Sequence, residues 1–108
     1  MACLWASYSG AQTWSQIDKI VASDRSDLDQ YGNAVAISGD YAVVGASLED
    51  HDLSGGNIAA NSGSAYVLER DGNGVWAETQ KIIASDRAAF DEFGHSVSIS
   101  GDVLVVGA

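Results

Sequence analysis

The stretch GNAVAISGDYAVVGA at residues 32–46 decides the fold, because it returns with few changes as GHSVSISGDVLVVGA at residues 94–108. The two copies belong to longer segments, residues 14–46 and 76–108, that align without a gap at an offset of 62. The same offset places ACLWAS at the start of the chain on SAYVLE at residues 64–69. Self-similarity at a fixed period predicts a protein built from copies of one supersecondary unit.

Each repeat unit predicts four short strands. NAVAIS and HSVSIS alternate apolar with small residues, which is typical of a strand, and the SGD that follows predicts a tight turn, because Gly39 and Gly101 accept positive φ. YAVVGA and VLVVGA are apolar at nearly every position, which favours a strand buried on both faces. After a polar, glycine-rich loop come SAYVLER and the more polar WAETQKIIAS, which predicts an outer strand.

Four strands in about 60 residues, covered by neighbours on both faces, are typical of a propeller blade. β-branched residues and glycines disfavour helices in these segments. The predicted fold class is therefore all-β, with β-propeller blades of four antiparallel strands and two blade-equivalents per chain. In this interpretation the chain consists of a half blade at residues 1–31, a full blade at 32–86 and a half blade at 87–108.

Two pairs of an aromatic residue and a glycine, Tyr31 with Gly32 and Phe93 with Gly94, each precede a VVGA block. This pattern resembles the FG-GAP repeat, which builds the β-propeller of integrin α-subunits and of many bacterial surface or secreted proteins. The resemblance covers nearly the whole chain, although Ser47 stands where the first copy would carry the proline of GAP. It implies a non-enzymatic scaffold or binding module for protein–protein or surface interaction, with an extracellular or cell-surface location.

Calcium is the cofactor that the resemblance raises, since integrin-type blades often carry a DxDxDG loop between their first two strands. Here that connection is only SGDY or SGDV, so no calcium site is expected there. Carboxylates elsewhere could hold calcium weakly, but aspartates that accept backbone N–H bonds in turns are the favoured interpretation. The candidates are Asp24, Asp27 and Asp29 in the first copy and Asp86, Asp91 and Glu92 in the second.

The loop LEDHDLSGG places Glu49, Asp50, His51 and Asp52 next to one another. Binding function concentrates in long loops, and weak calcium binding is open here as well. A single histidine beside carboxylates lacks a recognised transition-metal spacing. We therefore expect a solvated acidic loop with no transition-metal site, at which any calcium ion would bind weakly.

His95 is the candidate for catalysis, because it aligns with Asn33 at the start of the innermost strand, near a channel mouth. A hydrogen-bonded structural histidine is favoured, and the sequence contains no Ser–His–Asp order, paired catalytic carboxylates or phosphate-binding glycine loop. We predict no catalytic residue. An enzyme or sugar-binding propeller that uses this mouth is one alternative to the scaffold, and a calcium-dependent module is another.

The cysteine and the tryptophans are interpreted as structural residues. Cys3 aligns with Ala65, which favours a small buried strand position over a nucleophile. Trp5 aligns with Val67 and is assigned to the core, whereas Trp14 and Trp76 occupy one repeat position on the outer strand.

The charge of the chain restricts its partners. Fifteen acidic and five basic side chains give a net charge of −10, which argues against a nucleic-acid or anionic-membrane surface. No apolar run approaches the length of a membrane-spanning helix. The opening MACLWASYSGAQ has neither a basic start nor a long apolar core, so no signal peptide is recognisable.

The order of the predicted strands points to self-assembly. The chain begins with the third and fourth strands of one blade and ends with the first and second strands of another. A neighbouring copy would complete the blade at a seam formed by Cys3, Leu4 and Trp5 with Val103, Leu104, Val105 and Val106. Such a contact closes under cyclic symmetry, and we favour a homotrimer of six blades over a tetramer of eight. Another protein or a glycan remains a further partner class.

Overall fold

The structure, a computed structural model, describes residues 2–7, 14–23, 29–50 and 58–108. These residues form eight strands and no helix, which confirms the all-β fold class. The predicted strands agree with the observed ones to within two residues at their ends, except that β6 ends three residues before the predicted stretch WAETQKIIAS does. The strands are β1 (Ala2–Ser7), β2 (Trp14–Ile20), β3 (Tyr31–Ser38), β4 (Tyr41–Ala46), β5 (Ser64–Arg70), β6 (Trp76–Ile82), β7 (Ser96–Ser100) and β8 (Val103–Gly107).

The strands form three antiparallel sheets in which each strand pairs with its neighbour in sequence. The order is β1–β2, then β3–β4–β5–β6, then β7–β8. We call the four-stranded unit the middle sheet. By the repeat offset, β1–β2 is equivalent to β5–β6 of the middle sheet, and β7–β8 is equivalent to β3–β4. β6 lies at the edge of the middle sheet, as predicted for the more polar strand.

A two-residue turn joins β3 to β4, with Ser38 opposite Tyr41 and Gly39 at a φ of 57°. Positive φ at the first central residue is what a type II′ hairpin turn requires, and glycine adopts it without steric cost. Gly101 repeats this geometry between β7 and β8, with a φ of 54°. Its N–H donates to Ser38 Oγ at 3.1 Å, so the two equivalent turns lie side by side.

The register of the middle sheet defines its two faces. Val35, Val44 and Tyr66 are opposite one another across β3, β4 and β5 and lie on what we call the front face. Val43 and Val67 lie on the other side, the back face. The sheet is sandwiched, because β1–β2 packs on the front face and β7 lies against β3 and β4 on the back face.

The main core fills the space between the front face and the segment that ends β2. Tyr31 and Tyr66 form an edge-to-face pair with ring centroids 5.2 Å apart, a geometry that adds to the stabilisation from burial. Burial, and to a smaller extent the Glu78 carboxylate, raises the pKa of the Tyr31 phenol far above its usual range. The buried members of this core are Ile20, Ala22, Tyr31, Ala42, Val44, Ala46, Tyr66, Leu68 and Trp76.

Candidate functional site

The two repeats meet through their backbones. Residues 90–93 run beside residues 60–63, and Phe93 forms a parallel bridge with Gly63. The N–H of Phe93 donates to the carbonyl of Ser62 at 2.8 Å, and the N–H of Glu92 donates to the carbonyl of Asn61 at 3.0 Å. Backbone bonds of this kind fix the second repeat on the first without depending on particular side chains.

Glycines at this junction leave room for the close approach of the two backbones. A Cβ atom on Gly45 would collide with the carbonyl oxygen of Gly94, and one on Gly94 would collide with the carbonyl oxygen of Ser64. Gly63 is equally close to Phe93. The FG of the second copy and the GA of the first therefore contact each other, which explains why both motifs need glycine.

Asn33 joins the two repeats at the position predicted to lie near the channel mouth. Its Oδ1 accepts from Ser47 N–H at 3.2 Å, and its Nδ2 donates to the carbonyl of His95 at 3.3 Å. The structure thus brings Asn33 and His95 together, but His95 takes part through its backbone. Its exposed imidazole has Nδ1 3.9 Å from Glu92 Oε2. At 3.9 Å this contact is longer than a hydrogen bond, and it does not assemble a nucleophile, an acid and a base.

The prediction of a solvated loop is wrong for Glu49, which is fully buried. Its Oε2 lies 2.9 Å from Lys81 Nζ and accepts from Ser64 Oγ at 2.8 Å. The ammonium of Lys81 also lies 5.6 Å from the ring centroid of Tyr66. The carboxylate is buried because the outer strand β6 supplies a cation and β5 a hydroxyl, so its charge is compensated inside the sheet.

Asp50 closes the base of the same loop. Its Oδ1 accepts from Asn61 N–H at 2.7 Å, and its carbonyl accepts from Ala59 N–H at 2.8 Å. Arg87 Nη2 donates to that carbonyl at 2.6 Å and to Ser62 Oγ at 2.9 Å. Asp50 and Ser62, on the two sides of the loop, are thereby joined to Arg87 of the second repeat. His51 and Asp52 lie outside the described residues.

The turn-forming role of the repeated aspartates is confirmed for Asp91, whose Oδ2 accepts from Ala88 N–H at 3.0 Å. Asp29 is buried, and its carbonyl accepts from Leu48 N–H at 3.2 Å. Asp86 lies in an exposed turn. Asp24 and Asp27 fall outside the described part of the chain.

Residues 38–41, the position equivalent to an integrin-type calcium loop, hold one ion pair. Asp40 Oδ1 accepts from Arg70 Nη2 at 2.6 Å and from Arg70 Nε at 3.0 Å. In the ranges that the structure describes, no group of three or more histidine, cysteine or acidic side chains converges. Weak calcium binding at the acidic loops stays a prediction.

Two apolar surfaces are exposed at opposite ends of the stack. Val35 and Ile37, on the front face of β3, are 61% and 59% exposed. On the outer side of β8, Val103 and Val105 are 64% and 61% exposed. On both strands the residues that alternate with these exposed ones are half-buried, because they point toward the stack.

The predicted seam residues fall on β1 and β8. Cys3, Leu4 and Trp5 pair across to β2 with Lys19, Asp18 and Gln16. Leu104 and Val106 are half-buried and turned toward the middle sheet, whereas Val103 and Val105 are turned away from it. Since β1–β2 and β7–β8 lie against opposite faces of the middle sheet, one chain does not bring the two halves of the seam together.

The fold and the junction define an all-β repeat protein whose antiparallel sheets stack face to face. The chain belongs to the FG-GAP repeat family, whose model matches residues 14–68 and 76–108. Repeats of this family form binding modules of the β-propeller type and are typically non-enzymatic. No curated protein matches the chain, and no solved structure does. Among the described residues there is no helix that is long and apolar enough to span a membrane.

Proposed function

We propose that the chain is a non-enzymatic β-propeller scaffold whose copies assemble into a closed ring that binds another protein or a surface. The observation that carries this proposal is a difference in burial between repeat-equivalent residues. Val43 on the back face is fully buried under β7–β8, whereas its equivalent Val105 is 61% exposed. Likewise Val97 and Ile99 are half-buried, whereas their equivalents Val35 and Ile37 are exposed.

These differences identify the kind of surface that each exposed patch fits. Inside the chain, the back face of the middle sheet packs against the side of β7–β8 that carries Ile99 and Leu104, with Tyr41 and Val67 lining the cleft between them. The outer side of β8 has the same repeat positions as the covered back face. The front face of β3 has the same repeat positions as the side of β7 that covers the back face of the middle sheet. The patch on β8 and the patch on β3 therefore match the two sides of an interface that the chain already forms between the middle sheet and β7–β8.

A second copy of the chain supplies this complementary surface. The contact is heterologous, so repeating it gives a ring when the rotation closes and a filament when it does not. With two blade-equivalents per chain the ring has an even number of blades, and propellers have about 4–8. A trimer of six blades needs fewer copies to close than a tetramer of eight.

The non-enzymatic part of the proposal is supported by the surroundings of His95. Its imidazole is exposed, and its Nδ1 lies 3.9 Å from one carboxylate oxygen, which is beyond the hydrogen-bond distance at which a general acid or base transfers a proton. We expect no turnover of common ester, glycoside or phosphate substrates. Turnover that is lost on His95→Ala would contradict the scaffold.

The assembly is tested by the mass of the protein in solution. Light scattering on a size-exclusion column at micromolar concentration should give three times the 11.2 kDa of the chain. A mass of four chains would favour the tetramer over the trimer. A monodisperse monomer, or filaments that grow with concentration, would contradict the closed ring.

A further inference from the structure

We propose that β8 of one copy pairs with β1 of the next copy as adjacent antiparallel strands. A four-stranded sheet β7–β8–β1–β2 then forms across two copies, with Val103 opposite Ser7 and Val105 opposite Trp5 of the neighbouring copy. This inference rests on the assembly proposed above and specifies its partner, a second copy of this chain, and the register of the contact.

The free edges of the two hairpins provide the first argument. Within the described ranges, β1 pairs with β2 alone and β8 pairs with β7 alone. The middle sheet contains the same four repeat positions in unbroken order, β3–β4–β5–β6. A strand edge with unpaired N–H and C=O groups is a template for another strand, so the hairpins carry the two matching halves of one sheet.

The register follows from the pairing of β4 with β5. In the middle sheet Tyr41 is opposite Glu69, and Val43 is opposite Val67. Moving the β4 residues forward by one repeat gives Val103 and Val105, and moving the β5 residues back by one repeat gives Ser7 and Trp5. In this register the seam joins the same repeat positions that β4 and β5 join in the middle sheet.

The position of the composite sheet provides the second argument. β1–β2 already packs on the front face of its own middle sheet, where Ile20 contributes to the core. A β8 strand added beside β1 lies next to β3 of that same copy. The side of β8 that carries Val103 and Val105 then covers Val35 and Ile37, which are exposed apolar residues on that face. One contact therefore satisfies both the strand edges and both apolar patches.

A competing register arises from β1 itself. β2 pairs Trp14 with Ser7, whereas β6 pairs Trp76 with Arg70, the equivalent of residue 8. β1 is thus displaced by one residue relative to β5, and a seam that keeps this displacement would place Ala6 opposite Val103. Because neighbouring residues of a strand point to opposite faces, a one-residue difference is easily detected by cross-linking.

Disulfide cross-linking decides between these registers. In a Cys3→Ser background, which removes the single native cysteine, Val103→Cys with Ser7→Cys should form disulfides between copies under mild oxidation. Residues directly opposite in an antiparallel pair have Cα atoms about 4.5–5.5 Å apart, which suits a disulfide. A non-reducing denaturing gel should show covalent species up to three copies. The matched control, Val103→Cys with Ala6→Cys, should cross-link at least 10-fold less.

The outcomes separate the seam from the proposed function. Light scattering is measured first on the reduced double variant. An oligomer that cross-links through Ser7→Cys supports the inference. An oligomer that cross-links through Ala6→Cys, or through neither pair, overturns the seam while the ring stands. A monomer that forms no intermolecular disulfide overturns both.

Discussion

Replacing Val105 by aspartate separates assembly from folding. Val105 is 61% exposed in the single chain, and the hairpin that carries it packs on the middle sheet through the other side of β8. We therefore expect Val105→Asp to leave the fold of the monomer intact. In the ring, the same side chain would lie against Val35 of the neighbouring copy, so the substitution acts on the seam.

The magnitude follows from the area that the seam would cover. Full burial of a valine contributes about 1.5–3 kcal/mol, so covering the exposed 61% of Val105 contributes about 1–2 kcal/mol. An aspartate at this position loses that contribution and adds the cost of burying a carboxylate, which is several kcal/mol. A total of at least ~3 kcal/mol weakens each seam by at least ~100-fold.

The assay compares Val105→Asp with Val75→Asp, a change of the same residue type and charge at a valine that is 53% exposed. Val75 precedes β6 in the β5–β6 turn, away from both apolar patches. Light scattering should give a monomer for Val105→Asp and the parent mass for Val75→Asp, with similar circular dichroism for both. An intact ring with Val105→Asp, or equal dissociation by Val75→Asp, would refute the reasoning.

Three further predictions concern the interior and metal binding. Lys81→Met leaves Glu49 buried without this cation and should lower the free energy of unfolding by about 3–5 kcal/mol. Thermal unfolding should then show a fall in Tm of more than ~10 °C. Adding Glu49→Gln should recover part of the lost stability. Gly94 has a φ of 92° and lies against the carbonyl of Ser64. Gly94→Ala should therefore lower the free energy of unfolding, measured in urea, by more than ~2 kcal/mol. The control Gly72→Ala, whose Cβ meets open space, should change it by less than ~0.5 kcal/mol. Calcium should not stabilise the protein through residues 38–41, and a bound ion ligated there would contradict this.

The strands were predictable because each appears with a repeat copy beside it. Residues at one repeat position, such as Val43 and Val105 or Trp14 and Trp76, must have the same secondary structure. An apolar run that is ambiguous in one copy can therefore be assigned from the other. The turn at Gly39 was equally predictable, since a two-residue hairpin needs a positive φ that glycine provides. Strands and turns whose residue patterns recur along a chain are therefore the features that are most readily predicted from its sequence.

The burial of Glu49 was not predictable in the same way. Its partner Lys81 lies on another strand, and its position depends on the pairing of β4, β5 and β6 rather than on any local pattern. A cluster of acidic residues in a loop is usually solvated, whereas Glu49 turns inward and is fully buried. A cation on the inner side of a polar outer strand is the one signal that could have indicated a buried partner.

The junction between the repeats was predicted only in part. The glycines of FG and GA were recognised as a motif, but their purpose, the contact of Gly45 with Gly94, depends on how two sheets stack. Residues 60–63 and 90–93 join through backbone groups, which any residue type supplies. Asn61 and Phe90 even adopt positive φ, at 52° and 68°, a conformation that is uncommon in residues other than glycine.

The contrast between Val43 and Val105 also explains why exposure in this chain reports on neighbours rather than on residue type. Both valines follow a Gly–Asp turn by three residues and lie in the second strand of their repeat unit. Both point to the same side of that strand. One is fully buried and the other is 61% exposed because β7–β8 covers the first and no described strand covers the second. The same holds for Ile99 and Ile37 on the opposite side of the unit. An apolar residue that is retained at both positions is therefore suited to a stack in which every unit has a neighbour on each face. In the proposed ring, a second copy of the chain would provide that neighbour at both ends.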